Sequence, residues 1–158
     1  MFSGSVALTP AMLGALANGD LYFNLHTVPN PNGEIRGQLA PMVLPVTMNG
    51  AKENPANGSP ATAYGYVGLV GKQVSIGLHY RDLTGNINNA HYHGPADTTV
   101  NAGVLISLPF TAGNPWGFIV NSQTLSDANV AHFADGLIYV NIHSTTIGTG
   151  EIRGQVLP

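Results

Sequence analysis

The sequence predicts an all-β fold, an antiparallel β-sandwich with at most one short helix, and three observations predict it. Apolar and polar residues alternate in short segments such as "LIYVNIH" (137–143), which is the period of a half-buried strand. The 20 glycines and 11 prolines interrupt the chain too often for long helices. Several such segments are separated by turn signals, which is typical of a sandwich.

The elements follow from these patterns in chain order. The first alternating segment is 21–26, and the one helix is expected in "TLSDANVAHFADG" (124–136), where Ser126 can cap it and Val130 and Phe133 share a face. The segment "STTIGTG" suits a hairpin loop. The remaining strands are expected at 45–50, 63–70, 73–80, 87–93, 103–108, 137–143 and 151–156.

One hexapeptide, "GEIRGQ", occurs twice, at 33–38 and at 150–155. The match extends upstream without a gap: residues 17–39 and 134–156 share 11 identities in 23 positions, at an offset of 117 residues. The sequence therefore predicts two units, residues 1–41 as the C-terminal part of a repeat and residues 42–158 as a complete repeat.

Composition narrows the range of partners. The formal net charge is −3 and only 8% of residues are charged, about a third of the usual share, so nucleic acid is not an expected partner. The absence of cysteine excludes disulfides and thiolate metal ligands. No segment reaches the ~20 apolar residues of a membrane span. The first 20 residues lack the basic region of a signal peptide, so a secretion signal would lie outside this sequence.

Five segments carry a resemblance to a known family, namely "MNGAKENP" (48–55), "TAYGYVGL" (62–69), "AHYHGPAD" (90–97), "GVLISLPF" (103–110) and "YVNIHSTTIGTGEIRGQ" (139–155). They resemble the CHRD domain, a module named after chordin and found widely in bacterial extracellular proteins. The resemblance implies an extracellular or cell-surface β-sandwich, often in tandem copies, with no agreed catalytic activity. In chordin-like proteins the domain is an accessory segment of a growth-factor binder.

A histidine pair is the strongest candidate for chemistry. His91 and His93 are two residues apart on an expected strand, so their side chains leave the same face roughly 6.5–7 Å apart at the backbone. His143 ends another strand and is a candidate third ligand, and His79 is a further candidate. Three imidazoles without thiolate suit copper(II) or zinc. The alternative is a polar face bonded to loop carbonyls, which needs no cofactor.

By analogy, the pair is similar to the His-x-His strand of copper–zinc superoxide dismutases, which are also sandwiches. The expected sandwich is accordingly Ig-like or superoxide-dismutase-like. The repeated motif itself is expected to lock a hairpin, because its polar residues share one face of their strands. That set comprises His26, Glu34, Arg36 and Gln38 in the first copy and His143, Glu151, Arg153 and Gln155 in the second.

No enzyme signature occurs: the sequence has no cysteine nucleophile, GxSxG, P-loop or dinucleotide fingerprint, so no enzyme is expected. The first functional hypothesis is an extracellular structural or adhesive module that associates with identical chains. Either the partial first repeat reflects a fragment of a longer array, or a neighbouring chain completes it and builds a head-to-tail filament. The alternatives are a copper- or zinc-binding protein and a protein-binding accessory domain like that of chordin.

Overall fold

The computed structural model describes residues 6–39 and 42–158, and it confirms the predicted all-β antiparallel fold. A short 3₁₀ helix at Gly50–Lys52 follows the third strand. In chain order the helices and strands are α1 (Pro10–Ala17), β1 (Tyr22–Leu25), β2 (Ile35–Gln38), β3 (Met42–Asn49), β4 (Thr62–Val70), β5 (Gln73–Arg81), β6 (Ile87–His93), β7 (Val104–Ser107), β8 (Gly117–Thr124), α2 (Asp127–Ala134), β9 (Ile138–Ser144) and β10 (Ile152–Val156).

The strands form a two-stranded sheet, β1–β2, and an eight-stranded sheet in the order β7-β6-β9-β10-β3-β4-β5-β8. At the centre of the larger sheet, β10 and β3 are joined in register only at Arg153 and Asn49. The sheet therefore divides into two four-stranded halves. Its two outer strands, β7 and β8, lie next to each other: Gln123 Nε2 on β8 donates a hydrogen bond to the Ser107 carbonyl on β7 over 3.1 Å. The two halves thus face each other as a sandwich.

One hydrophobic core lies between the halves. Inward-facing residues such as Ile119 on β8 and Val140 on β9 are completely buried. Helix α2 adds Phe133, which is also completely buried, and Val130, as the shared face predicts. Burying a side chain of this size stabilises the fold by about 1.5–3 kcal/mol. The core therefore fixes which face of each strand remains for other contacts.

The helices show one difference from the expectation of at most one short helix, because the described residues form two α-helices. Helix α2 begins as predicted, with the Ser126 hydroxyl accepting from the backbone N–H of Asn129. Helix α1 is its counterpart at the 117-residue offset, with Thr9 as the cap and Pro10 at the first turn, and it packs against α2. The composition of 10–17, almost entirely apolar, has no amphipathic period that would predict it.

Strand β8 is the one strand of the larger sheet that the sequence pattern did not predict. Ile119 points into the core, whereas Phe118 and Val120 point outward and are 65% and 75% exposed. Because apolar residues lie on both faces, the segment lacks the polar–apolar alternation that marks the other strands.

Candidate functional site

Three histidines meet on the side of β6 and β9 that faces away from the core. His91 and His93 lie on β6, and His143 lies on the neighbouring β9, where it is paired with Asn89. One ring nitrogen from each of the three lies within 4.8 Å of the other two. The sequence-predicted trio is therefore brought together, because an antiparallel pair places residues of the same face side by side.

Backbone carbonyls orient two of the rings. His93 Nδ1 is 3.0 Å from the Ala102 carbonyl oxygen, and His143 Nδ1 is 3.0 Å from that of Gly148. Since a carbonyl only accepts, each Nδ1 carries the proton and each Nε2 of the neutral ring carries a lone pair. Metal-binding histidines are usually held in this way, with the non-ligating N–H bonded to a carbonyl or carboxylate.

The spacing within the trio also suits a metal ion. His91 Nδ1 lies 3.2 Å from His143 Nε2. Two nitrogens each about 2.0–2.1 Å from a tetrahedral zinc ion would be roughly 3.3 Å apart. The His93 side chain is nine-tenths buried, and its Nε2 has no hydrogen-bond partner among the described residues. An unsatisfied buried nitrogen costs about 1–3 kcal/mol, which a bound ion would remove.

The electrostatics of His91 and His93 favour the neutral, ligating form of their rings. Burial lowers the pKa of His91 below its usual value, and the neighbouring His143 and His93 lower it further. Burial also lowers the pKa of His93, although its hydrogen bond to the Ala102 carbonyl acts in the opposite direction. His91 and His143 remain partly exposed, so solvent or a fourth ligand can reach the site.

An aromatic stack fixes the buried ring from behind. The ring of Tyr139 lies parallel to that of His93, with centroids 4.9 Å apart and an interplanar angle of 5°. On its other side the Arg153 guanidinium lies 3.5 Å from the Tyr139 centroid. The stack therefore connects the histidine trio to the repeated hexapeptide.

Arg153 and Glu151, two residues apart in the hexapeptide, bond different loops. The guanidinium donates to the carbonyls of Asp97 (2.6 Å) and Val100 (3.0 Å) and to Asn101 Oδ1 (3.1 Å). Glu151 is completely buried and accepts from the Ser59 hydroxyl and the backbone N–H of Thr84. Each residue thus holds a different distant loop.

The first copy of the hairpin has the same internal geometry. Strands β1 and β2 pair Asn24 with Arg36, as β9 and β10 pair Asn141 with Arg153. The Arg36 guanidinium lies 3.6 Å from the Tyr22 ring centroid. The counterparts of His143 and Gln155 also keep their bonds: His26 Nδ1 bonds the Pro31 carbonyl (2.9 Å), and Gln38 Nε2 donates to the carbonyls of Gly19 and Leu21.

The backbone conformation explains why each hexapeptide begins with glycine. Gly33 and Gly150 have φ of +119° and +128°, and a Cβ on either would lie under 3 Å from the amide of Asn24 or Asn141. The later glycine differs between copies. A Cβ on Gly154 would lie 2.7 Å from the Thr47 carbonyl of β3, whereas one on Gly37 would meet no atom within 4 Å. Among the described residues, the first hairpin therefore has no strand beside Gly37 that corresponds to β3 beside Gly154.

Glu53 is a neighbour of the site that the sequence interpretation missed. Its carboxylate accepts from Asn141 Nδ2 at 3.0 and 3.1 Å, next to the histidine trio on β9. Burial raises its pKa to about 7, although Asn141 and Arg153 lower it. Glu53 lies in "MNGAKENP", one of the segments that carry the family resemblance, and this is the signal that could have indicated its importance. The local sequence does not show which strand Glu53 contacts.

His79 does not join the trio. It lies on β5 between Tyr64 and Phe118, with ring centroids 5.5 and 4.8 Å away. The group of mutually close ring nitrogens, within the part of the chain that the structure describes, contains only His91, His93 and His143. The suggestion of His79 as an additional ligand is therefore not supported by its position.

Comparisons with known proteins give one match. The family model described as CHRD domain matches residues 2–39 and 44–156. No curated protein and no solved structure matches the chain. Within residues 6–39 and 42–158, no helix is long and apolar enough to cross a membrane.

Proposed function

Because this chain belongs to the CHRD domain family, a family of extracellular-type domains, we propose that it is an extracellular module that binds one copper(II) or zinc ion through His91, His93 and His143. The observation that supports this is the convergence of the three ring nitrogens within 4.8 Å. Their imidazole chemistry fits both metals, and the partly exposed side leaves room for a water or another ligand.

Metal analysis tests this function directly. The full chain, purified without chelators, is expected to contain copper or zinc at one ion per chain. Chelator-treated protein is expected to bind one equivalent of Cu(II) or Zn(II) in a calorimetric titration. The His143→Ala change removes one of three ligands, so its effect should exceed the roughly 10–100-fold loss typical of an outer-shell change.

The first hairpin supplies a matched control. His26 has the same ring–carbonyl hydrogen bond as His143 but lies outside the trio. His26→Ala should therefore bind metal with unchanged affinity. Equal losses in both variants, or no stoichiometric binding by the unmodified chain, would contradict a metal function for this trio. The His91→Gln variant, at a partly exposed position, guards against a folding defect in His143→Ala.

A second candidate function is self-association as an extracellular structural or adhesive module. The observation in its favour is the different exposure of equivalent residues in the two hairpins. Phe23 and Ile35 are 58% and 63% exposed, whereas their counterparts Val140 and Ile152 are completely buried. An apolar sheet face of this kind is usually covered by a partner.

Sedimentation velocity across a wide concentration range tests association of the full chain. Assembly should increase with concentration and decrease in a Phe23→Ser, Ile35→Ser double variant. Val28→Ser is the control, because Val28 lies in the hairpin loop and is already 97% exposed. A chain that stays monomeric at every concentration would remove this candidate without affecting the metal site.

A further inference from the structure

A second exposed apolar surface lies on the complete repeat. The sheet half β3–β4–β5–β8 turns one side to the core and the other to solvent. Five large apolar side chains on the solvent side are 60–75% exposed and form what we term the outer face: Val43, Tyr64, Tyr66, Phe118 and Val120.

The outer face is continuous across three strands. Tyr64 on β4, His79 on β5 and Phe118 on β8 are cross-strand partners and form one row of rings. In the next row Gly77 lies between Tyr66 and Val120, and a Cβ on it would meet nothing within 4 Å. The aromatic rings of the outer face therefore surround a shallow open area above Gly77, which has no side chain.

The first hairpin presents a surface of matching chemistry. Its hairpin face consists of Phe23, Ile35 and Leu39, which are 58%, 63% and 41% exposed. In the complete repeat the equivalent face of β9–β10 packs in the core against the β3–β4–β5–β8 half of the sandwich. The residues that define the outer face and the hairpin face are all uncharged, which suits sheet-on-sheet packing, and the charged groups of Arg81 and Lys52 lie at the edge of the outer face.

Completion of the first hairpin by the strands of an identical chain would leave a hairpin of the donor chain uncovered. In each chain the strands β3 to β8 already enclose the hairpin β9–β10, and Arg153, Glu151 and Gln155 hold their connecting loops. A neighbour that paired those strands with a first hairpin would expose its own second hairpin. The outer face is the apolar sheet surface that remains free for a copy to offer.

We propose that the hairpin face of one chain docks on the outer face of another, which gives head-to-tail association. This inference rests on the second candidate function and names its receiving surface. One contact of this kind covers both apolar faces, and because the two surfaces differ, further copies can add head to tail, as a ring or as an open filament.

The apolar area that the outer face can bury determines how strongly two chains are expected to associate. A fully exposed aromatic side chain presents about 150–250 Å², so three at 61–65% exposure present roughly 120 Å² each. With the two valines, the outer face offers on the order of 500 Å², less than the about 800 Å² per partner of a standard stable interface. The association should therefore be weak, concentration-dependent and strengthened by sulfate, which favours apolar burial.

Two single variants of the full chain test the proposal. Val120→Lys places a charge in the outer face, and Ile35→Lys places one in the hairpin face, both at exposed positions where folding should survive. Thermal melts check that folding. In sedimentation velocity, each variant alone should be monomeric at concentrations where the unmodified chain assembles, which corresponds to at least ~100-fold weaker association.

A mixture of the two variants gives the decisive measurement. Val120→Lys keeps an intact hairpin face and Ile35→Lys keeps an intact outer face, so an equimolar mixture should form 1:1 dimers that do not grow. If Ile35→Lys still assembles alone, outer faces pair with each other and the proposal is overturned. If Val120→Lys still assembles while Ile35→Lys does not, self-association stands but the receiving surface is elsewhere. An unmodified chain that is always monomeric overturns both the second candidate function and this proposal.

Discussion

Replacing Arg153 with methionine measures how much the repeated hexapeptide contributes when its loop is present. Methionine keeps an unbranched stem over the Tyr139 ring but removes the three hydrogen bonds to the loop, at Asp97, Val100 and Asn101, and a fourth to Gln155. The loop residues 97–101 are exposed, so water can replace part of what is lost. At about 1 kcal/mol for each acceptor, the low end of the range, the free energy of unfolding should fall by roughly 3 kcal/mol.

The same change at Arg36 is the internal control. Arg36 has the equivalent stacking contact with Tyr22 but is exposed, so Arg36→Met should change stability by less than about 0.5 kcal/mol. In calorimetric melts of a chain this size, Arg153→Met should lower Tm by roughly 6–12 °C and Arg36→Met by about 2 °C or less. Equal shifts would refute the view that loop anchoring, and not the motif itself, carries the stability. Hydrogen exchange should also show lost protection at 95–102 in Arg153→Met only.

Three further predictions concern Gly154, Glu53 and Ser126. Gly154→Ala should destabilise the protein by about 1–3 kcal/mol in chemical denaturation, because the added Cβ would meet β3, whereas Gly37→Ala should be tolerated; equal effects would contradict the open space at Gly37. Burial raises the pKa of Glu53 to about 7 from 4.5, so its contribution to stability is greatest below pH 4.5 and is lost as pH rises toward 7. Glu53→Gln should therefore reduce the fall in Tm between pH 5 and 8 relative to the unmodified chain, and parallel pH profiles would count against this. Ser126→Ala should cost about 1 kcal/mol through loss of the α2 cap, seen as a lower denaturation midpoint with an unchanged m-value.

Local patterns predicted the hairpins well. Alternation in 137–143 and 151–156 was sufficient to expect that Tyr139, Asn141 and His143 share a face with Arg153, and the register places Arg153 opposite Asn141 and Gln155 opposite Tyr139. The period of two decides the face of every residue once one apolar position is buried. The same rule made the convergence of His91 and His93 predictable from their spacing alone.

Contacts between distant segments were not predictable in this way. Arg153 bonds a loop more than fifty residues earlier in the chain, and Glu53 reaches Asn141 over 88 positions. Nothing in either local sequence specifies the partner, because the order of strands in the sheet decides which loops meet. The partly buried position of Glu53, and therefore its raised pKa, depends on the β10–β3 junction at the centre of the sheet.

The two hairpins together separate what the repeated motif does from what its surroundings add. His26 and His143 have the same ring–carbonyl hydrogen bond, so the repeat presents an oriented Nε2 in both copies. Only at His143 does a neighbouring strand, β6, place His91 and His93 within reach of that nitrogen. In the proposed metal site, the hairpin would therefore supply one oriented ligand, and the strand beside it would supply the other two. A CHRD hairpin with the terminal histidine but no His-x-His strand beside it should fold in the same register and bind no metal. In this chain, metal titration of the His91→Gln variant tests the expected loss of binding, and a thermal melt of the same variant checks that it folds.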